Sequence, residues 1–338
     1  MRPAEPLDLD YEFQSHHFPS EFWRGDVSCT GARQLIFATT EQLQLMKKAK
    51  TWYMDGIYRV VRQPFKQLYT IHVFILGENG EMKQVPTAYA FMSRRQEIDY
   101  RRVSCFLVFS TLAEEMGGLE SLCVKRVMAD SEREVWQAVR GLLPMVEIRG
   151  CLFHWEQAIR RKVQALGLDV SIFQCVTSET IISKLIKKLM ALPYLHHPHI
   201  PDQFAAIKAT TEDTSLYPLF TYAENTWLCS TVWPITSWSV YGMTVKTNND
   251  CEGWHKKVNQ AAGKKNLQFF LLVNLLHKEA LYVPQVPQLL AWGQLSRHQS
   301  RKTRAFNQQI QDIWTEYSQG IKTPSQTLIL ITSLITKK

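Results

Sequence analysis

The sequence predicts an α/β protein whose sheet opens with three antiparallel strands and continues in alternating units, in the order βββαβαβα. Three observations carry that expectation. Strand-like runs rich in β-branched and aromatic residues follow one another closely in the first hundred residues. Two of these runs are joined by Gly77-Glu78-Asn79-Gly80-Glu81, which contains the hairpin signal Asn-Gly. Farther along, apolar residues at helical spacing alternate with shorter strand-like runs.

In order, the strands are expected over Trp52 to Val61, Leu68 to Leu76 and Val85 to Met92. Phe106, Phe109, Ala113 and Met116 predict a helix that stops at Gly117-Gly118. A fourth strand, Cys123 to Met128, leads to Asp130. Ser131 and Glu134 have the spacing of a capping box for a helix whose apolar face is Val135, Trp136, Val139, Leu142 and Leu143, and Pro144 ends it. A fifth strand, Val146 to Phe153, feeds a helix with Trp155, Ile159, Val163 and Leu166 on one face. The order is that of an RNase H-like mixed sheet. Residues 1–33 are set apart as an N-terminal segment and residues 34–168 as the first part of the core. Residues 169–245 are a mainly helical insertion, residues 246–285 hold the last catalytic helix, and residues 286–338 form a helical C-terminal tail.

Composition limits the function. The chain has 338 residues, 45% of them hydrophobic and 21% charged, enough to bury a full core and unlike a disordered chain. A formal net charge of +8 suits a polyanionic partner such as nucleic acid or an acidic membrane surface. The seven cysteines form no C-x-x-C pair, which argues against a disulfide framework or a zinc ribbon. Met1 to Asp10 has no apolar secretory core, and Leu267 to Leu276 and Thr327 to Ile335 are too short to span a bilayer, so no membrane partner is expected. Nucleophile-elbow, P-loop and Rossmann fingerprints are absent.

The chemistry is expected at three acids. Asp55 lies within an apolar strand, where a lone carboxylate is costly unless something pairs with it. Asp130 ends the fourth strand, which neighbours the first in the expected sheet. Two like charges there repel, and a divalent cation resolves the conflict. Glu252 opens a helix and shares a face with His255, Lys256 and Asn259. Each has a plainer reading: Asp55 as a strand-edge acid, Asp130 as helix-dipole support, and Glu252 as the partner of an Asn249 cap. Asp250 and Glu224 are weaker candidates for the third acid. Cys151 and His154 form C-x-x-H, two of the four ligands of a zinc site or simply a strand end with a buried cysteine. His196, His197 and His199 mark a metal site or, more simply, an exposed loop. Trp227, Trp233 and Trp238 offer rings to an unpaired base or fill a helical core. Basic groups such as Arg160-Arg161-Lys162 and Lys184, Lys187 and Lys188 suit phosphates or a solvated face.

Several of these motifs together resemble a known family. Trp52 and Asp55-Gly56, Asp130-Ser131-Glu132, Gly150-Cys151-Leu152-Phe153-His154, and Thr247-Asn248-Asn249 through Glu252-Gly253-Trp254-His255 occur in the order of the Mutator-like element (MULE) transposase domain, a DDE-type enzyme with an RNase H-like fold. Gln34 to Thr39 resembles the entry to that domain, and Gln67 to His72 resembles its second strand. The resemblance implies that Asp55, Asp130 and Glu252 are the catalytic acids and hold two Mg²⁺ or Mn²⁺ ions. Its substrate would be double-stranded DNA, as transposon ends and target. Cys151, His154, His255, Lys256 and Asn259 would contact DNA or support the motif. It further implies work in the nucleus, as dimers or larger homo-oligomers. Departures are Ile57-Tyr58 where the family has Thr-Phe, and Ser131 where it has Phe. The stretch before Gln34 lacks the Cys/His spacing of the zinc-binding recognition module such transposases often carry. That leaves a domesticated DNA-binding regulator without transposition as the alternative, and a nuclease-like relative as a further one.

Overall fold

The computed structural model describes residues 6, 8–29, 32–93, 118–130, 132–168, 181–211 and 213–336. In chain order its elements are β1 (Trp23–Cys29), β2 (Ala32–Phe37), α1 (Thr40–Lys48), β3 (Thr51–Ile57), β4 (Gln67–Leu76), β5 (Met82–Met92), β6 (Arg126–Ala129), α2 (Arg133–Leu142), β7 (Glu147–Gly150) and α3 (Leu152–Ala165). There follow α4 (Ile181–Ala191), α5 (Ile200–Ala209), α6 (Tyr217–Ala223), α7 (Ile235–Trp238), α8 (Asn249–Ala262), α9 (Phe269–Tyr282), α10 (Val286–Ala291), α11 (Arg301–Ser318) and α12 (Pro324–Thr336). The chain divides into two compact units, one of Met1–Arg149 with Asn248–Arg297, the other of Gly150–Thr247 with His298–Lys338. Thus α3, placed by sequence in the 34–168 core, is built into the second unit together with the tail helices α11 and α12.

The first unit is a mixed α/β structure on a seven-stranded sheet ordered β1-β2-β5-β4-β3-β6-β7. The expected meander is present as β3, β4 and β5, all antiparallel, and β6 joins it parallel to β3. β4 is buried along nearly its whole length, and that is why its apolar residues do not alternate with exposed polar ones. The Asn79-Gly80 turn closes as its sequence predicts. Gly77 N–H donates to the Glu81 carbonyl at 2.8 Å, and Gly80 takes φ 79°, a left-handed conformation that glycine adopts without cost.

Two strands were not anticipated. β1 and β2 pair antiparallel and extend the sheet beyond β5, with Leu35 opposite Phe91. β1 reads Trp-Arg-Gly-Asp-Val-Ser-Cys, without alternation, and its register shifts between Trp23 and Gly25, the kind of bulge that hides a strand from pattern reading. Conversely, β3 is shorter than expected. It stops at Ile57 because the carbonyls of Arg59 and Val60 accept from Asn266 and Leu267 at 3.0 and 2.9 Å, outside the β3–β4 ladder. The fifth expected strand is cut to Glu147–Gly150, since Leu152 already opens α3. The helix expected around Phe106 to Met116 lies outside the described residues, as do Ser131 and the side chain of Glu134. α2 begins at Arg133 with Glu132 as N-cap and no side-chain cap bond.

One apolar cluster unites Leu35, Phe37, Leu68 and Phe91 of the sheet with Val258 of α8 and Phe269, Phe270, Val273 and Leu276 of α9. α8 is thereby packed against the sheet, and it also contacts β3, the strand that carries Asp55. The second unit is helical among its described residues. Trp155 stacks on Trp238 with ring centroids 4.6 Å apart, Trp227 meets Trp155 edge-on, and Trp314 lies in the same core. The described residues contain no helix long and apolar enough to cross a membrane.

Candidate functional site

The parallel pairing of β3 and β6 sets Trp52 opposite Val127 and Tyr53 opposite Met128. Continuing that register by two residues brings Asp55 alongside Asp130. Asp55 is 6% exposed, and the Oδ1 of Asp130 is shut off from solvent. The two carboxyls lie close enough to act on each other, and both are pushed toward the protonated form. Burial, aided by the nearby charges of Glu252 and Glu132, pushes Asp55 up to about 7 against the pull of the Gly56 N–H bond. Burial first, then the charges of Asp55 and Glu132, pushes Asp130 well above the usual carboxylate range.

The backbone around Asp55 is fixed from both sides. Gly56 N–H donates to Asp55 Oδ1 at 2.8 Å, and Thr70 Oγ1 donates to the Asp55 carbonyl at 3.2 Å. Behind Thr70, the fully buried His72 lies 3.0 Å from its hydroxyl and packs edge-on against Trp254 of α8. Gly56 is a glycine for space, since an added Cβ would stand 2.0 Å from Gln67 Nε2. That amide donates to the Tyr58 hydroxyl at 2.8 Å, which in turn donates a long hydrogen bond, 3.4 Å, to Glu132 Oε1. The Tyr58 hydroxyl gives this position a contact that phenylalanine would lack.

α8 carries the third acid. Its N-cap is Asn248, not Asn249 as the sequence suggested, and no side-chain cap bond forms. Instead the buried Asn248 Nδ2 donates to the Met54 carbonyl at 3.2 Å, tying the helix start to the strand that bears Asp55. Buried Cys251 Sγ donates to Gln84 Oε1 at 3.1 Å, a second tie to the sheet. Glu252 is half-buried, and burial raises it while the charge of Lys256 lowers it. His255 Nδ1 stands 3.8 Å from Asp55 Oδ2. Burial pushes His255 down to about 4, so at neutral pH its imidazole is uncharged and the contact is no ion pair. Asn259 is half-buried on the same helix, and Lys256 is exposed.

Asp55, Asp130, Glu252 and His255 therefore come to one place in the first unit. The weaker candidates are engaged elsewhere: Asp250 is held by Arg297, whose Nη2 lies 2.6 Å from its Oδ2, and Glu224 by Lys208 at 2.8 Å. Glu132, quoted in the motif but not counted as a site residue, is a fourth carboxylate close enough to act on both aspartates.

Cys151 and His154 belong to the second unit. Cys151 is the buried N-cap of α3, and His154 lies in its first turn. Burial and the charge of Arg161 push His154 down to about 4. Among the described residues no three His, Cys, Asp or Glu side chains are gathered as a group that could hold a metal ion as they stand. His196 is exposed and ring-packed on Tyr241, while His199 Nδ1 is hydrogen-bonded to the Tyr317 hydroxyl. Trp227 and Trp238 are core residues, and Trp233 packs against that core, so these rings are not presented to a base.

The chain matches no model of a known protein family, and no curated protein sequence matches it.

Proposed function

We propose that this chain is a DDE-type transposase core of the Mutator-like kind, with an RNase H-like fold, acting on double-stranded DNA in the nucleus. The observation that carries the reading is the buried pair of Asp55 and Asp130 on adjacent parallel strands, with Glu252 brought beside it by a helix tied to the same strand. The order β5-β4-β3-β6-β7, a three-stranded antiparallel meander with β6 parallel to β3 beside it, supports the RNase H-like assignment.

The donor set fits Mg²⁺ or Mn²⁺. It consists of hard carboxylate oxygens, and the pair holds a proton where a cation would relieve the same repulsion. Asp55, Asp130 and Glu252 would hold the ions. Bound ions would supply an activated water or DNA 3′-hydroxyl and stabilise the leaving oxygen at phosphorus. The chain's own part is to position. Gly56 N–H and Thr70 fix Asp55, Asn248 fixes the start of α8, and the neutral His255 offers a hydrogen-bonding imidazole without adding charge.

A domesticated DNA-binding regulator is the second reading. Incubating the purified chain with supercoiled plasmid and Mn²⁺ separates the two. Nicking that disappears in Asp130→Ala and Asp55→Asn is the expected outcome. Salt-sensitive binding of the plasmid without nicking would leave the regulator as the function.

A further inference from the structure

The second unit carries an open surface pocket of about 610 Å³ that the catalytic reading does not use. It is lined by Lys162 of α3, by Tyr217, Thr221 and Tyr222 of α6, and by Asn225 and Thr226 just beyond. The last two belong to a π-helical turn, Glu224–Leu228, closed by the Cys229 N–H on the Glu224 carbonyl at 2.9 Å. Such turns break the regular ladder of a helix and are common at functional sites. The turn divides its side chains between two pockets. Asn225 and Thr226 line this one, whereas Glu224 and Leu228 line a neighbouring pocket of about 820 Å³.

Among the described residues, that division leaves the first pocket with no lining carboxylate. Its cation, Lys162, lies 5.5 Å over the Tyr222 ring and has no acidic partner among the described residues. In the neighbouring pocket Lys208 is already neutralised by Glu224 at 2.8 Å. Around Lys162 stand an amide, threonine hydroxyls and two phenols, with Tyr217 48% exposed. Exposed Arg161 adds a second positive charge on the same turn of α3. A lysine with amide and hydroxyl donors suits a phosphate oxygen, and aromatic faces suit a base. An unpaired nucleotide uses both halves, and an open pocket suits a base and phosphate that remain part of a strand.

We propose that this pocket holds one unpaired nucleotide of a DNA strand, with Lys162, Asn225 and Thr226 on the phosphate and Tyr217 and Tyr222 on the base. The inference rests on the reading of the chain as a DNA-handling protein and deepens it by locating a strand-binding site outside the acid cluster. Its test is fluorescence anisotropy of the whole chain with a labelled eight-nucleotide oligo-dT across a salt series, free of divalent metal. Lys162→Ala should bind about tenfold more weakly at low salt, with a shallower salt dependence by about 0.7 in the log–log slope, the loss of one phosphate contact. Asn225→Ala should weaken binding severalfold. Lys208→Ala, which removes an already paired cation, should match wild type.

Unchanged oligo-dT binding in both Lys162→Ala and Asn225→Ala, with melting temperatures held, overturns the proposal. So does competition by thymidine monophosphate as strong as that by the unlabelled oligonucleotide, which would assign the pocket to a free nucleotide. The nicking assay remains separate. Nicking lost with these binding differences intact strikes the catalytic reading alone, whereas intact nicking with no binding differences strikes this one alone.

Discussion

Asp55 and Gly56 illustrate what single residues contribute. An acid inside a run of apolar strand residues is visible in sequence because burying it unpaired is costly, and that cost is the signal. The reason for the glycine that follows is not visible, since it lies in a side chain eleven positions away: the space a Cβ would fill is occupied by the Gln67 amide, 2.0 Å distant. Gly56→Ala is expected to displace that amide from the Tyr58 hydroxyl and to destabilise the chain by about 1–3 kcal/mol, the usual cost of overpacking. Denaturant unfolding checks this. Adding Gln67→Ala should restore part of the loss, because it empties the contested space. If Gly56→Ala unfolds like wild type, the steric account fails. Glu132 was quoted in sequence only as a motif letter. Its proximity to Asp130 is local, two positions along the chain, but its proximity to Asp55 and to the Tyr58 hydroxyl follows from the fold.

Elements assemble the site through a few backbone and side-chain ties. α8 was legible as a helix with Glu252, His255, Lys256 and Asn259 on one face, because helical spacing is local. Its cap was misread. Asn248 spends its amide on the carbonyl of Met54 rather than on its own helix, a long-range bond that no local pattern encodes. Asn248→Ala is therefore expected to cost about 1–3 kcal/mol by leaving buried polar groups unsatisfied, and to loosen Glu252 relative to Asp55. A fall in melting temperature with weakened Mn²⁺ binding is the expected result. A normal melting temperature with normal Mn²⁺ affinity would mean that the tie is dispensable. β1 escaped sequence reading for a related reason: its bulge removes the alternation on which strand recognition depends. The tryptophans of the second unit were left open between base stacking and core, and burial resolves them as core.

At the scale of the whole molecule, proton linkage gives a test of the acid pair that needs no substrate. Asp55 and Asp130 hold protons in the folded chain that the unfolded chain releases near pH 4. From there to about pH 7 the folded state binds more protons than the unfolded state, so these groups lose stability as pH rises, by up to about 1.4 kcal/mol per pH unit for each proton. His72, His154 and His255, buried and neutral, have the opposite sign, gaining stability as pH rises from their lowered values toward 6.5. The carboxyl contribution is therefore read as a difference. In chelator, the melting temperature of Asp130→Asn minus that of wild type should grow from pH 5 to pH 8. Mn²⁺ should raise wild type at pH 8 and leave the variant nearly unmoved. A difference independent of pH would mean that the pair does not retain a proton.

The sequence by itself determined the α/β class, the order of the meander and following strands, the hairpin at Asn79-Gly80, and Asp55, Asp130 and Glu252 as the acids to examine. These features are written in local spacing and in the cost of burying charge. Only the tertiary structure decided that Asp250 is taken by Arg297, that α3 belongs with the second unit, that Asn248 ties α8 to β3, and that Lys162 lines a pocket with no acid among the described residues. Those facts depend on which distant side chains share a space, and contacts between residues far apart in the chain leave no periodic trace in the sequence.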